Sequence, residues 1–490
     1  MLIKANNIFN FNTLLIILSA ILYSVPYLNF DLYFLHWFFL LPIMYLAEFR
    51  STNIILTGLL FGIISSFIGQ YWLTETLMNI AGVSFLNGIL IHLIYSLYES
   101  VFFIIIFFII KRILLKKERF NFIKFLILIF AWVCIENIFP RIFPYKLGNS
   151  QINFKYFSHF ISFFGINMIS IFLLSLNISI HLIYNRKNKF KYFAIYPLIF
   201  LIFLFFAESE YEESYKSYEK SSVTIVQPNN EKNNLKIYSQ SRSDLIIWPE
   251  SSMDSINFDN LDQIKRFKND FKNKYTFNSK ELLFGAITKK DNNFYNSAIL
   301  LNDNNNFINF KNKKELLIYG EYYPLKEIIS KFIPVYKNFR DLTPGKNKSI
   351  QLQNGNSVFI FICYEDLFAH DLSSIVNNNN IGYLVNITND IWYGDSLAAY
   401  QHLMLSLPRA IESNKFLVRS ANNGISAVIS PKGKIIKKID LNNEGSIFYE
   451  IPIINKKTIY HSYYTIIETS YYLILVLLIF IKKFFYTREK

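Results

Sequence analysis

Cysteine is scarce in this sequence: the 490 residues include only Cys134 and Cys363. Cys134 lies inside a long apolar run, whereas Cys363 lies in the more polar part of the chain, so an intrachain disulfide is not expected. The sequence also lacks a small-residue cleavage pattern after its first apolar run. We therefore expect that run to be a retained membrane anchor rather than a signal peptide.

Acidic residues are fewer than basic ones, 36 against 50, which gives a formal net charge of +14. The basic residues cluster beside apolar runs, at Lys111–Lys124, Arg186–Lys191 and Lys482–Lys490. Such clusters are typical of the cytoplasmic flanks of membrane helices. The positive charge therefore does not indicate nucleic-acid binding.

Long apolar runs dominate the first 210 residues and return near the C-terminus. A run of about 20 apolar residues crosses the hydrocarbon core as a helix, because a helix satisfies its own backbone hydrogen bonds. The sequence predicts about eight spans on this length criterion, so the fold class includes a multi-pass α-helical membrane bundle. The predicted spans lie near residues 11–29, 32–48, 53–73, 88–110, 121–139, 159–183, 191–207 and 464–482.

The three basic clusters fall on one side of the membrane if the N-terminus is cytoplasmic. The opposite side receives the acidic stretch Glu208–Glu213, which opens the one long non-membrane region of the sequence. We therefore expect residues 208–460 to lie outside the cytoplasm. An unpaired thiol such as Cys363 is a liability in an oxidising compartment unless it has a task.

Residues 221–455 have a different pattern of apolar and polar residues from the long apolar runs, with shorter apolar segments. Short β-branched or aromatic segments, such as Ser222–Val226 and Val358–Ile362, alternate with helix-like segments at 261–274 and 398–414. This alternation predicts an α/β layered domain. The predicted organisation is a seven-span domain over residues 1–210, an α/β domain over 221–455, and a C-terminal span with a basic tail over 460–490.

Three polar residues stand at or near the ends of strand-like segments, in chain order. Glu250 follows an apolar segment, Lys313 lies in a basic run, and Cys363 closes the apolar segment Ser357–Ile362. Each residue alone is typical of an ordinary surface or core position. Together, a carboxylate, an ammonium and a thiol supply a base, a cation for the oxyanion and a nucleophile. That is the minimum set for acyl transfer through a thioester.

Glu, Lys and Cys in this order resemble the nitrilase superfamily, and longer motifs resemble the apolipoprotein N-acyltransferase family. The resemblance covers nearly the whole chain, and it implies a nitrilase-like αββα sandwich beside the membrane bundle. The motifs that are similar to the family are Gly69–Trp72, Phe143–Gln151, Leu245–Ser251, Gly320–Leu325, Ile362–Glu365, Asn389–Ser396, Gln401–His402, Arg409–Glu412 and Arg419–Ser426.

The resemblance implies a role for each matching residue. Cys363 takes a fatty acyl chain from a phospholipid as a thioester, Glu250 is the general base, and Lys313 stabilises the oxyanion. The further glutamates Glu321 and Glu365 orient Lys313 and support the site, and Tyr364 matches the tyrosine that follows the nucleophile. The neighbouring Lys311 and Lys314 are alternatives to Lys313.

The resemblance also implies the partners and the location. The acyl acceptor is the α-amine of the lipid-modified N-terminal cysteine of a lipoprotein, and no metal, other cofactor or nucleic acid is expected. The protein is expected to be a monomer in the bacterial cytoplasmic (inner) membrane, with its catalytic domain on the periplasmic or outer face. The polar motifs at 389–396 and 409–423 are expected to be architectural.

Two other functions use the same residues differently. A membrane-tethered nitrilase-type amidohydrolase would use water as the second nucleophile. A catalytically inactive scaffold or lipid carrier would leave Cys363 unreactive. His92 and Glu99 lie inside one predicted span, where ionisable groups are candidates for function, and pairing within the bundle is the alternative for Glu99.

Overall fold

The computed structural model describes residues 2–114, 122–185, 215, 217–240, 242–275, 277, 279–331, 337–338, 340–376 and 380–488. The chain folds into two compact units, which we call the helical unit and the sheet unit. The helical unit comprises Met1–Thr74, Phe85–Ser209 and Tyr463–Lys490, and the sheet unit comprises Glu75–Ser84 and Glu210–Ser462. The sheet unit therefore includes a short segment, Glu75–Ser84, that comes from between two apolar helices.

The helical unit is built from apolar helices joined by short connections. Small residues bring two of these helices close together: a Cβ at Gly62 would lie 2.5 Å from the Cα of Ser100. Such contacts are typical of helix packing in membranes, where dispersion replaces the hydrophobic effect. The helices of this unit are α1 (Leu2–Leu28), α2 (Leu41–Phe49), α3 (Ile54–Gly69), α5 (Phe85–Leu114), α6 (Phe122–Ile138), α7 (Ser158–Phe164), α8 (Ile166–Asn185) and, near the C-terminus, α15 (Tyr464–Arg488). Helix α4 (Leu73–Ala81) begins in this unit, and its residues from Glu75 onward belong to the sheet unit.

The count of eight spans is not confirmed. Among the described residues, five helical segments are long and apolar enough to cross a membrane, and a sixth results if α3 and α4, bent by 66°, form one broken span. Helix α6 coincides with the predicted span at 121–139, and residues 115–121 before it lie outside the described part of the chain. The five segments are Phe11–Leu28, Phe30–Phe49, Phe85–Leu114, Ile166–Tyr184 and Tyr464–Phe484.

Two predicted spans need separate comment. The span predicted near 159–183 begins later, at Ile166, because Gly165 adopts a left-handed φ of +73° and separates α7 from α8. Glycine takes this conformation without the steric cost that a Cβ would add. The predicted span at 191–207 lies outside the described residues.

The sheet unit contains two sheets, and its nitrilase-like αββα class is confirmed. The first sheet has the strand order β13-β1-β2-β4-β5-β6, with β3 paired to β4, and the second has the order β12-β11-β10-β9-β8-β7. The strands of the first sheet are β1 (Lys220–Gln227), β2 (Leu245–Ile247), β3 (Ile256–Asn257), β4 (Glu281–Lys290), β5 (Asn293–Asn302), β6 (Phe307–Asn312) and β13 (Gly445–Pro452). Those of the second are β7 (Ser349–Gln351), β8 (Ser357–Ile362), β9 (Ile381–Asn389), β10 (Leu417–Asn422), β11 (Ser426–Ile429) and β12 (Ile435–Ile439).

Helices cover the outer faces of the sheets. Successive side chains of a strand point to opposite faces of the sheet, so β2 contributes residues to two hydrophobic cores. Leu245 and Ile247 belong to the core between the two sheets, whereas Ile246 packs with Phe271 of a covering helix. The helices of this unit are α9 (Lys232–Tyr238), α10 (Leu261–Lys274), α11 (Lys326–Ile329), α12 (Ala369–Val376), α13 (Ala398–Ser413) and α14 (Ile459–Ser462).

Parallel pairing at the centre of each sheet determines where polar side chains gather. β8, β9 and β10 are parallel neighbours in the second sheet, and β1, β2 and β4 are parallel neighbours in the first. The carboxyl ends of parallel strands meet at one edge, where open α/β sheets usually place their sites. Glu250 follows β2 and Cys363 follows β8 at such ends.

Candidate active site

The candidate nucleophile, Cys363, lies at a sharp turn. β8 ends at Ile362, and residues Cys363–Leu367 form one 3-10 turn. Cys363 has a left-handed φ of +56°, which for a residue with a Cβ costs about 1–3 kcal/mol and persists only where surrounding contacts hold it. The Glu365 carboxylate accepts the N–H of Ile362 at 2.8 Å and closes the turn. A half-buried, unpaired thiol is thus presented at the end of a strand.

Glu250 is a buried carboxylate with two firm anchors. Its Oε1 accepts a hydrogen bond from the Asn296 side-chain amide at 2.6 Å, and its Oε2 accepts one from the Asn389 backbone N–H at 2.9 Å. The β4 backbone approaches closely, since a Cβ at Gly285 would lie 2.5 Å from the Glu250 Cα. Burial raises the pKa of Glu250 against the opposing charge of Lys313 and the two hydrogen bonds. A carboxylate with a raised pKa suits a proton acceptor.

Lys313 lies between two carboxylates. Its Nζ is 2.8 Å from Glu321 Oε2 and 3.8 Å from Glu250 Oε1, and it sits 5.3 Å from the centre of the Tyr364 ring. Burial disfavours the charged ammonium, but the charges of Glu321, Cys363 and Glu250 outweigh burial and raise the pKa of Lys313 well above its usual value. Lys313 therefore stays protonated, as an oxyanion partner must be.

The two lysines beside Lys313 have other partners. Lys311 Nζ donates to the Ile360 carbonyl at 2.5 Å and pairs with Glu365 Oε2 at 2.6 Å. Lys314 pairs with Asp371 and lies 3.3 Å from Glu315. Of these three lysines, Lys313 is the one that reaches Glu250.

The supporting residues have distinct contacts. Glu321 holds Lys313 directly, and its Oε2 also accepts the Leu317 N–H at 2.8 Å. Glu365, expected to orient Lys313, instead pairs with Lys311 and accepts the Lys314 backbone N–H at 2.7 Å. The Tyr364 hydroxyl donates to the Leu316 carbonyl at 2.7 Å. These bonds join the loop after β6 to the turn that holds Cys363.

The thiol of Cys363 is protonated at rest. Burial, reinforced by the charge of Glu250, raises its pKa well above the usual value, and Lys313 only partly opposes this. Because the thiolate is the reactive form, Cys363 needs a base at the moment of attack. Glu250 is the buried carboxylate whose charge acts most strongly on this thiol.

Asn296 is a functional residue that sequence reasoning missed. The Asn296 side-chain amide donates both to Glu250 Oε1 at 2.6 Å and to Glu321 Oε1 at 2.8 Å. The backbone carbonyl of Asn296 accepts a hydrogen bond from the Lys313 backbone N–H at 2.7 Å. Asn296 lies in β5, two residues before the apolar run Ala298–Leu301. A polar residue at the start of an apolar run was the available signal, but asparagine is abundant around it.

The motifs at 389–396 and 409–423 contribute to a buried charge cluster. Arg419 Nη1 is 3.1 Å from Asp366 Oδ2, Arg419 Nη2 is 3.0 Å from Asp390 Oδ2, and His402 Nδ1 is 3.0 Å from Asp390 Oδ1. Burial works against the Asp390 carboxylate, but Arg419 and His402 lower its pKa to about 2. The two carboxylates also raise the pKa of His402 despite its burial and the nearby Arg419. This cluster ties the Cys363–Leu367 turn to the ends of β9 and β10.

One group of possible metal ligands lies close by. Glu315, His370 and Asp371 could together hold an ion. The ammonium of Lys314 is already bonded to Asp371 and lies 3.3 Å from Glu315. A cation would have to displace this lysine, so these residues form a neutralised ion-pair network.

The membrane residues His92 and Glu99 make contacts within the helical unit. His92 is buried, 3.0 Å from Thr74 Oγ1 and 3.3 Å from Ser66 Oγ. Glu99 pairs with Arg141 at 2.6 Å, and both side chains are buried. An ion pair of this kind neutralises a charge that would be costly alone in a bilayer.

Comparison with known protein families gives two matches in this chain. Residues 272–455 match the carbon-nitrogen hydrolase family, and residues 19–179 match the apolipoprotein N-acyltransferase N-terminal domain. Together the two matches include strands β4 to β13, and thus the whole second sheet, and most of the helical unit.

Comparison with individual proteins agrees with these matches. The apolipoprotein N-acyltransferase of Wigglesworthia glossinidia brevipalpis is 30% identical over 416 residues, which cover 78% of this chain and 80% of that protein. That of Rickettsia typhi is 34% identical over 226 residues, covering 43% of this chain and 42% of that protein. Among solved structures, the CN-hydrolase superfamily protein XC1258 from Xanthomonas campestris covers 48% of this chain and 91% of its own, with 15% identity and a TM-score of 0.34. The chain therefore belongs to the apolipoprotein N-acyltransferase family and is a membrane-integrated acyltransferase of the nitrilase superfamily.

Proposed function

We propose that this enzyme moves a fatty acyl chain from a phospholipid to the α-amine of a lipoprotein, by way of a thioester on Cys363. The acceptor amine belongs to the N-terminal diacylglyceryl-cysteine of the lipoprotein. The observation that supports this most directly is the placement of Lys313 between the buried Glu250 and the partly buried Glu321, next to a thiol on which the charges of Glu250 and Lys313 act. The arrangement supplies a base and a fixed cation around one nucleophile.

In the first half-reaction, Glu250 accepts the thiol proton and the Cys363 sulfur attacks the ester carbonyl of the phospholipid. The carbonyl oxygen gains negative charge in the tetrahedral intermediate, and the ammonium of Lys313 stabilises that charge. The carbon–oxygen bond to the glycerol then breaks. The leaving alkoxide takes the proton from Glu250 and departs as a lysophospholipid, so the thioester forms with atoms and charge balanced.

In the second half-reaction, the neutral α-amine of the acceptor attacks the thioester carbonyl. Glu250 accepts a proton from the amine as the carbon–nitrogen bond forms, and Lys313 again stabilises the oxyanion. The carbon–sulfur bond breaks, and the thiolate recovers a proton from Glu250. The products are an amide and the resting enzyme. One chain supplies all of these groups, so the chemistry requires no second subunit.

The apolar surroundings of the active-site loops favour transfer over hydrolysis. Trp392 is 46% exposed, and Leu325 and Ile328, from the loop after Glu321, are 67% and 53% exposed. Apolar side chains at loop tips fit a surface that meets acyl chains and keeps water from a thioester. A soluble amidohydrolase would have no use for such a surface, and this is why the hydrolase alternative ranks second.

The distribution of charge supports an outward-facing sheet unit. Helices α5 and α15 both begin where a segment of the sheet unit ends, at Ser84 and Ser462. α5 ends in Lys111 and Arg112, and α15 contains basic residues in its last turns. Because basic flanks stay in the cytoplasm, both helices run from the outer face inward. The proposal therefore places the sheet unit on the periplasmic or outer face of the bacterial cytoplasmic membrane.

A transfer assay with two acceptors tests this function. The purified enzyme is incubated with a phospholipid carrying a labelled acyl chain and a diacylglyceryl-cysteine peptide whose α-amine is either free or acetylated. We expect labelled amide only with the free amine, and little labelled free fatty acid. Equal release of free fatty acid with both peptides, without amide, would instead identify a hydrolase.

A further inference from the structure

The turn that presents Cys363 is held from behind by side chains that do not touch the sulfur. The left-handed backbone at Cys363 is sterically unfavourable and requires external contacts to persist. One such contact is a hydrogen bond from the Asn386 side-chain amide to the Cys363 carbonyl, at 2.9 Å. Asn386 lies in the middle of β9, opposite Phe361 of β8.

A single arginine connects both ends of this turn. Arg419 Nη1 donates to Asn386 Oδ1 at 2.8 Å and to Asp366 Oδ2 at 3.1 Å. Asn386 in turn bonds the carbonyl of Cys363, the first residue of the turn, while Asp366 lies three residues later. One guanidinium nitrogen therefore fixes the turn at both positions.

The sheet leaves this arginine little freedom. Arg419 in β10 is fully buried and lies opposite Asn386 of the parallel strand β9. Asn386 in turn lies opposite Phe361 of β8, two residues before Cys363. Its other nitrogen, Nη2, is held by Asp390 Oδ2 at 3.0 Å. A planar fork with several donors can satisfy three partners at once, which a lysine ammonium does less well.

We propose that Arg419 is a positioning residue, which acts through Asn386 to hold the strained turn and thereby aim the Cys363 sulfur at the acyl carbonyl. The inference rests on the proposed role of Cys363 as nucleophile. Arg419 contributes no proton and contacts no reacting atom. Small displacements of a nucleophile are costly: a misplacement of about 1 Å can slow a reaction about 10²-fold.

The test separates two contacts: the hydrogen bond from Arg419 to Asn386 and the hydrogen bond from Asn386 to the Cys363 carbonyl. Asn386→Asp keeps an acceptor for Arg419 but cannot donate to the Cys363 carbonyl, and Asn386→Ala removes both contacts. Asn234→Ala is the matched control, because Asn234 is also a buried amide with two acceptors, the Pro228 carbonyl at 3.0 Å and Glu444 at 2.5 Å. Arg419→Lys tests the guanidinium itself.

Two rates are measured for each variant: thioester formation from phospholipid, and alkylation of Cys363 by iodoacetamide across pH. We expect both Asn386 variants to lower the limiting rates about tenfold or more. The apparent KM for phospholipid should stay within about twofold, and Asn234→Ala should match the unmodified enzyme. The pH midpoint of alkylation should not move in Asn386→Ala, which adds no charge. Arg419→Lys should give a smaller loss of the same kind.

Three results would overturn the inference. The first is an Asn386→Asp variant as fast as the unmodified enzyme, and the second is an Asn386→Ala variant no slower than Asn234→Ala. The third is a changed pH midpoint of alkylation in Asn386→Ala with an unchanged limiting rate. The last would mean that the network adjusts charge rather than position. Alkylation of Cys363 does not require acyl transfer. The proposed role of Arg419 and Asn386 is therefore tested separately from the proposed function. Absence of a thioester in the unmodified enzyme would instead reject the proposed function.

Discussion

Two buried lysines, two residues apart in the sequence, form ion pairs that differ in kind. Lys311 pairs with Glu365 at 2.6 Å and donates to a backbone carbonyl at 2.5 Å, so one cation meets one carboxylate. Lys313 pairs with Glu321 at 2.8 Å but also faces Glu250 at 3.8 Å, so one cation is shared by two carboxylates. The charges of Lys311 and Glu365 neutralise each other. Around Lys313 there is one more carboxylate than cation, so one carboxylate, Glu250, can accept a proton. Both lysines are buried and paired, so the difference between them lies in the number of carboxylates that each one faces, and the proposed mechanism rests on that difference.

The largest expected effect is on activity, from Lys313→Met. Removing the cation takes away the stabilisation of the oxyanion, and we expect the rate of thioester formation to fall about 10³-fold. Folding should be less affected than activity, because Glu321 is partly exposed and Asn296 still donates a hydrogen bond to each carboxylate. Single-turnover kinetics and thermal unfolding in detergent measure the two effects. Turnover within tenfold of normal would remove Lys313 from the mechanism.

Lys311→Met should have the opposite profile. It leaves Glu365 buried without its cation, which typically costs about 3–5 kcal/mol of stability. Molecules that remain folded should retain most of their activity per folded enzyme. The double substitution Lys311→Met with Glu365→Gln should recover part of the stability, because it removes both charges and keeps an amide oxygen as an acceptor for the backbone N–H groups. If Lys311→Met instead abolished activity in fully folded enzyme, the distinction between the two lysines would be lost.

Glu250→Gln keeps the shape of the base but removes its ability to accept a proton. We expect thioester formation to slow about 10²-fold or more, since general base catalysis contributes at least that much. Binding of phospholipid should be little changed. A defect confined to the second half-reaction, with normal thioester formation, would reassign Glu250 to activation of the amine alone.

Asn296→Ala tests the residue that links the two carboxylates. It removes the shared amide from Glu250 and Glu321, and we expect about a tenfold loss of activity because the base loses one of its two anchors. Asn234→Ala again serves as a control for loss of a buried amide elsewhere in the sheet unit. An Asn296→Ala enzyme as active as this control would show that Asn389 alone holds Glu250.

The dependence on pH is the smallest and most specific effect. A base with a raised pKa is protonated, and inactive, at a higher pH than an ordinary glutamate. Activity should therefore fall on the acid side at a pH clearly above the usual range for Glu, about 4.3, and this limb should be absent in Glu250→Gln. Lys313, whose pKa is raised well above normal, should contribute no loss on the alkaline side below about pH 10. A profile with its acid limb at the usual glutamate value would contradict the buried base.

The sequence predicted much of this site because its parts have separate local signals. Glu250 and Cys363 each end an apolar strand, and an apolar strand can be recognised without a structure. Which of Lys311, Lys313 and Lys314 faces the base depended on the twist of β6 and the loop after it. The resemblance indicated Lys313, whereas local signals alone did not distinguish the three lysines. The expectation that Glu365 orients Lys313 missed its pairing with Lys311.

The sequence did not single out Asn296, and it marked Arg419 only as part of an architectural motif. Their roles come from contacts across 46 and 53 positions of the chain, to Glu250 and Asp366. In the helical unit, hydropathy located the apolar helices but not their breaks, such as the one at Gly165. Hydropathy measures composition along the chain, whereas a break depends on the backbone conformation of one residue.

The most direct test of the account is the intact mass of the enzyme after incubation with phospholipid alone. The two cysteines provide the control: Cys363→Ala removes the proposed nucleophile, and Cys134→Ala removes the buried thiol of α6. We predict one added acyl mass in the unmodified enzyme and in Cys134→Ala, lost on treatment with hydroxylamine, and none in Cys363→Ala. An acyl adduct that persists in Cys363→Ala, or its absence from the unmodified enzyme while transfer proceeds, would contradict a thioester at Cys363.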